Sequence, residues 1–197
     1  LEVHNVGDTS ARFTYRIYNQ DGGLVSSRSF GVPARGEFDV QAGHEFGQNV
    51  YLVELVPDNV STPFFATVSR YSSNAFGGNE ASTYNFAFSV EARQGTGSAV
   101  FAPTTHQTGA TWVQGNWVEV ANTRSADVIA QATFRDVNGN VIGSQNLPLG
   151  PKAQFHFDAG LLLAAAGASN GSVQISSPTA NSLITQSMVY YHDKSNA

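Results

Sequence analysis

Leu1-Glu2-Val3-His4-Asn5 and Val118-Glu119-Val120-Ala121-Asn122 are two copies of one pattern, offset by 117 residues. The correspondence runs without a gap to residues 43 and 160. Gly22 falls on Gly139, Ser27 on Ser144, Phe38 on Phe155, and Ala42-Gly43 on Ala159-Gly160. After a three-residue insertion, Val53 and Leu55 fall on Val173 and Ile175, and Val68 and Tyr71 on Met188 and Tyr191. Self-similarity at fixed spacing defines an architecture before any local pattern does. It predicts two tandem copies of one domain of about 100 residues, a usual domain size, over residues 1–94 and 95–197. A duplicated domain with no chemistry preserved in both copies is expected to extend, display or bind.

Local patterns point to strands. Phe13, Tyr15 and Ile17 alternate with Thr14 and Arg16, the period-two signature of a half-buried strand. Asn19-Gln20-Asp21-Gly22-Gly23 then leads into Leu24-Val25, and Asp136-Val137-Asn138-Gly139-Asn140 separates Phe134 from Val141. Gly, Asn and Asp tolerate the positive φ of tight hairpin turns. Further strands are expected over Glu37–Gln41, Val50–Pro57, Phe64–Ser72, Tyr84–Ala92, Gly97–Pro103, Trp117–Asn122, Val128–Arg135, Val141–Leu147, Gln154–Asp158, Gly171–Ser176 and Leu183–His192. The one helical candidate is Ala159–Ala166, read as a short crossover helix or turn where the first copy has Gly43-His44-Glu45-Phe46-Gly47. Short strands with frequent turns predict an all-β chain, an antiparallel β-sandwich in each half.

Composition excludes several function classes. Net charge is −5 and only 13% of residues are charged, roughly half the usual share. A nucleic-acid binder needs a basic face to displace counterions, and none is present. The longest apolar run, Leu161-Leu162-Leu163-Ala164-Ala165-Ala166, is far short of the roughly 18 residues that cross a bilayer. The chain has no cysteine, so disulfides, thiolate metal sites and cysteine nucleophiles are out. Lys152 and Lys194 are the only lysines, and Ser, Thr, Asn, Gln and Gly fill the polar positions. That composition is common in secreted β proteins, and an extracellular or cell-surface address is expected.

No catalytic or metal constellation stands out. His156 lies between Phe155 and Phe157, so alternation turns the phenylalanines inward and the histidine outward. No His-x-His or His-x-x-x-His spacing suggests zinc. Asp136-x-Asn138-Gly139-Asn140 opens like a calcium loop, but the twelfth position is Leu147, not Glu, which leaves a hairpin turn. There is no Gly-x-Ser-x-Gly elbow. Gly95-Thr96-Gly97-Ser98 reads as an interdomain linker. Glu2 and Glu119 recur at matching positions, but each points outward beside an inward valine. Asn59-Val60-Ser61 and Asn170-Gly171-Ser172 match a glycosylation acceptor and are read as turns. No enzyme and no cofactor is expected.

Aromatic residues supply the candidate binding site. Trp112 and Trp117 flank Gln114-Gly115-Asn116, with Tyr71, Tyr84, Phe86, Phe88, Tyr190 and Tyr191 adding to the set. Exposed Trp and Tyr stack on sugars through their apolar faces, while Asn116 and Gln114 would supply hydrogen bonds. Core or interdomain packing is the competing reading, though alternation with Glu119 puts Trp117 on the outer face of its strand.

The second copy has a strand, Gly97–Pro103, with no counterpart before Leu1, and Tyr84–Ala92 has none after Leu183–His192. Incomplete sandwiches leave open edges, and open edges pair with other strands. Either the chain is part of a longer array, or chains complete each other head to tail by strand addition.

Asn122-Thr123-Arg124-Ser125-Ala126-Asp127-Val128, then Phe134-x-Asp136-x-x-Gly139-x-Val141, then Leu147-Pro148-Leu149, resembles Ig-like repeats of bacterial secreted and cell-surface proteins. The first copy departs from it, with Gly31-Val32-Pro33 in place of Leu-Pro-Leu and Tyr18-Asn19 near the Phe-x-Asp position. The resemblance implies two tandem Ig-like β-sandwiches and an extracellular address, and assigns no functional residue. The resulting expectation is a non-enzymatic structural protein, a filament, stalk or surface-layer subunit that self-associates through open strand edges. The alternative is a carbohydrate-binding or adhesive module.

Overall fold

The computed structural model describes residues 1–40, 50–73, 84–101, 103 and 105–193, with the side chains of 70–73, 84–88 and 191–193 not among what is described. The chain is an all-β sandwich protein, with four antiparallel sheets and one short helix among the described residues. It divides into two compact units, one of residues 1–17 and 24–93, the other of 18–23 and 94–197.

In the first unit the strands are β1 (Glu2–Asn5), β2 (Ala11–Tyr18), β3 (Leu24–Val32), β4 (Glu37–Asp39), β5 (Leu52–Pro57), β6 (Phe64–Ser73) and β7 (Tyr84–Glu91). They form one sheet in the order β4-β1-β6-β7 and another in the order β3-β2-β5. Alternation in β2 turns Phe13, Tyr15 and Ile17 inward, each no more than 3% exposed. Phe13 packs with Val3, Val32 and Ala66, and meets Phe64 edge to face at 5.3 Å.

The second unit holds β8 (Ser98–Phe101), β9 (Trp112–Asn122), β10 (Val128–Asp136), β11 (Val141–Leu149), β12 (Gln154–Asp158), α1 (Ala159–Ala165), β13 (Gly171–Ser176) and β14 (Leu183–Asp193). Its sheets run β11-β10-β13-β8 and β12-β9-β14. Ala130 and Ala132 stand where the first copy has Phe13 and Tyr15. The helix α1 inserts the fully buried Leu163 into the cluster that holds these alanines, so a large residue from a crossover supplies volume that the strand lacks. Asp158 caps that helix by accepting from the Leu161 N–H at 3.1 Å. Gly167, at φ 76°, ends it. The segment 43–47, aligned with this helix, lies outside the described residues.

One residue anchors each copy. The Asn5 Nδ2 donates to the carbonyls of Thr9 at 2.8 Å, Val32 at 3.3 Å and Pro33 at 3.0 Å, and its Oδ1 accepts from the Gly7 N–H at 3.0 Å. Asn122 makes the same four contacts, to Ala126, Leu149, Gly150 and Arg124, at 2.8, 3.3, 2.8 and 2.8 Å. Both side chains are essentially inaccessible. Each ties the end of its own strand to the turn after it and to the chain entering the next sheet. The turns match as well. Arg35 and Lys152 share a left-handed conformation, φ 55° and 58°, as do Gly22 and Gly139 at 86° and 84°. Asp136 closes its hairpin by accepting from the N–H groups of Asn138 at 2.8 Å and Asn140 at 2.9 Å, the turn read from sequence.

Three expectations need correction. Strand pairing sets Glu2 opposite Thr67 and Glu119 opposite Gln186, so Thr67 matches Gln186 and Val68 matches Ser187, not Met188. Aligning aliphatic residues slipped the final strand by one position, which moves every side chain to the other face. Thr96, expected in an interdomain linker, falls inside the second unit: its N–H donates to the Leu183 carbonyl at 2.7 Å and its carbonyl accepts from the Leu183 N–H at 2.9 Å. Of the triplet Asn170-Gly171-Ser172 read as a turn, Gly171 and Ser172 open β13 opposite Asp136 and Arg135, as the strand expected over Gly171–Ser176 requires.

Candidate functional site

The strand β9 carries all four residues singled out for binding, and it is longer than the expected Trp117–Asn122. It pairs with β14 in unbroken register from Asn122 opposite Leu183 to Trp112 opposite Asp193. Gly115 and Asn116 look like turn chemistry, and tertiary pairing overrides that preference. The signal lay in the partner: a strand reading Leu183–His192 needs a mate of equal length.

Alternation along β9 separates the candidates. Val118 and Val120 are fully buried, with Gln114 and Asn116 on the same side at 4% and 0% exposure. Trp112 shares their parity, while Trp117 is 37% exposed on the opposite face. The two tryptophans therefore do not form one platform. Gln114 and Asn116 are turned into the protein and do not line the face that Trp117 presents. The side chains of Tyr71, Tyr84, Phe86, Phe88 and Tyr191 lie outside the described residues.

Other residues surround Trp117. Cross-strand pairing sets Asp158 and Met188 beside it, and His156 and Gln186 beside Glu119 in the next row. The Gln186 amide donates to the Glu119 carboxylate. The Tyr190 hydroxyl donates to the Met188 sulfur at 3.4 Å. Gly115 sits under the indole: a Cβ there would stand 3.1 Å from both Trp117 Nε1 and Asp158 Oδ2. The Asp158 carboxylate is occupied structurally, since Oδ1 accepts from the Asn116 N–H at 3.2 Å as well as from the helix. His106 Nδ1 approaches its other oxygen at 3.8 Å. In the first unit, Glu2 repeats the Glu119 role, accepting from Thr67 Oγ1 at 3.1 Å. The outer face around Trp117 thus combines an indole, a thioether and a phenol with amide and carboxylate groups, a chemistry that suits stacking and hydrogen bonding.

Sheet edges are the second feature. The strand β6 carries β7 on its outer side, whereas β14, its match, carries no strand beyond β9 among the described residues. Likewise β13 carries β8, and β5 carries no strand beyond β2 among the described residues.

Among the described residues, no three His, Asp or Glu side chains converge to hold a metal ion, and no helix is long and apolar enough to cross a membrane. No known protein family, curated protein or solved structure matches the chain.

Proposed function

We propose that this chain is a non-enzymatic extracellular structural protein, a filament, stalk or surface-layer subunit, that associates through its strand edges. The observation that supports this is the edge asymmetry. Within one molecule, β6 and β13 are covered by β7 and β8, while their matches β14 and β5 have no such neighbour among the described residues. An uncovered edge presents a row of N–H and C=O groups that templates another strand. The low charge and the Ser/Thr/Asn-rich composition fit a surface-exposed assembly of bacterial Ig-like repeat type. Light scattering after size exclusion tests the reading, with negative-stain images of concentrated protein. Dimers or longer chains are expected, and a strict monomer at high concentration defeats it.

A second reading is a carbohydrate-binding module. It is favoured by the exposed Trp117 with Glu119 and Gln186 in the adjacent row. A glycan array followed by Trp117→Ala tests it: binding lost in the variant supports the site, and no binding by the native chain removes it.

A further inference from the structure

Leu183 fixes the polarity of β14. Its N–H and C=O point away from β9, because both bond to Thr96. In an antiparallel strand these directions alternate, so Thr185, Ser187, Val189, Tyr191 and Asp193 also aim their backbone groups outward, away from β9, where no further strand lies among the described residues. The first unit displays what such a row holds. Ala66, which matches Thr185, accepts from the Ala92 N–H at 2.8 Å, and β7 continues along β6 from there.

Several features make β14 an acceptor of another strand. It is 11 residues long and no register shift interrupts its pairing with β9. It contains no Pro or Gly, and no Asp, Glu, Lys or Arg from Leu183 to His192. Natural edges are blunted by just those devices. Val189, midway along the outward-bonding row, is 48% exposed.

We infer that β14 pairs antiparallel with β14 of a second copy about a two-fold axis at Val189. This deepens the proposed assembly and rests on it. A two-fold contact brings the same strand to both sides. With Val189 opposite Val189 of the partner, Thr185 meets Asp193 and Ser187 meets Tyr191. Every outward backbone group from Thr185 to Asp193 then has a mate, and the Thr96–Leu183 bonds stay undisturbed. Centring on Ser187 would instead set Tyr191 against Leu183, whose groups Thr96 already holds. The Val189 register also covers that exposed valine and sets Met188 against the partner's Tyr190, a favourable sulfur–aromatic pairing.

The chain has no cysteine, so single substitutions give unique thiol probes. Val189→Cys places two thiols across a pair with Cα atoms about 5.5 Å apart, within disulfide reach. Mixed Met188→Cys and Tyr190→Cys chains place them about 4.5 Å apart. Gln186→Cys is the control, since its two copies would lie about 20 Å apart along the strands. Under mild oxidation, Val189→Cys and the mixture should give covalent dimer about tenfold above the control. The mixture keeps the test valid if Val189→Cys misfolds. Equal cross-linking of Gln186→Cys overturns the seam, as does no cross-linking in a chain that light scattering finds oligomeric; both leave the assembly proposal standing. A native chain that stays strictly monomeric removes both.

Discussion

Asn122 repeats, 117 residues further along, the complete bonding pattern of Asn5: one buried amide donating to three backbone carbonyls and accepting from the N–H two residues on. The groups it holds are carbonyls of a turn and of a strand end. The Gly150 carbonyl also accepts from the Ala153 N–H at 3.1 Å, as Pro33 does from Gly36 at 3.0 Å, so removing the amide strips these carbonyls of one bond each, and leaving inaccessible polar groups short of partners costs more than the bonds themselves contribute.

Asn122→Ala is therefore expected to destabilise the second unit by about 2–4 kcal/mol, at the upper end of ordinary substitutions. Asn122→Asp should do no better, because a carboxylate cannot donate to three carbonyls and its charge would be buried. Urea denaturation followed by fluorescence measures both. A change within about 0.5 kcal/mol would show that the amide is dispensable. Asn5→Ala should act the same way in the first unit.

Gly171 and Gly143 make opposite predictions. A Cβ on Gly171 would run into the carbonyl of Arg135, a rigid backbone atom, while a Cβ on Gly143 meets nothing within 4 Å. Gly171→Ala should cost about 2 kcal/mol or more through a forced shift of paired strands. Gly143→Ala should stay within about 0.5 kcal/mol of the native chain. Parallel thermal melts compare them.

Asp136 provides a pH test. The Asn140 side-chain amide holds its carboxyl below the ordinary carboxylate value, helped by the backbone N–H groups of Asn140, Asn138 and Gly139. A depressed folded-state pKa gives stability that is present above the unfolded value, near 3.8, and is lost as pH falls through the folded value. Asp136→Asn should thus be less stable than the native chain at neutral pH, with the gap closing in acid. A gap that is constant or widens in acid would contradict this. Denaturant midpoints between pH 2 and pH 7 supply the comparison.

The two tryptophans should behave differently in solution. Trp112 shares the inward parity of β9 and its indole lies against the backbone of Gly109, whereas Trp117 is on the outer face. Acrylamide should quench the Trp112→Phe variant, which keeps Trp117, more strongly than the Trp117→Phe variant. Trp112→Ala should cost about 3 kcal/mol, and Trp117→Ala distinctly less. Equal quenching would mean that the faces are wrongly assigned.

Much of this was legible in residue order. The period-two pattern of Phe13, Tyr15 and Ile17 set the inward face of β2, and Asp136-Val137-Asn138-Gly139-Asn140 set the hairpin that follows β10. The expected strand Trp117–Asn122 stopped short of Gln114-Gly115-Asn116, because Gly and Asn are poor strand formers, a weak preference against eleven residues of pairing with β14. The same pairing turned Gln114 and Asn116 inward, and set Met188 beside Trp117 and Gln186 beside Glu119. Pairing across 67 residues between Glu119 and Gln186 leaves no local mark in either segment.

Sequence alone determined the all-β class and the turns, because alternation and positive φ are properties of neighbouring residues or of one residue type. Tertiary structure alone decided the register of β14, the face on which each tryptophan stands, and the buried bonding of Asn5 and Asn122. Those depend on which distant strand lies alongside. A one-residue slip in that partnership exchanges inside for outside while leaving the local pattern unchanged.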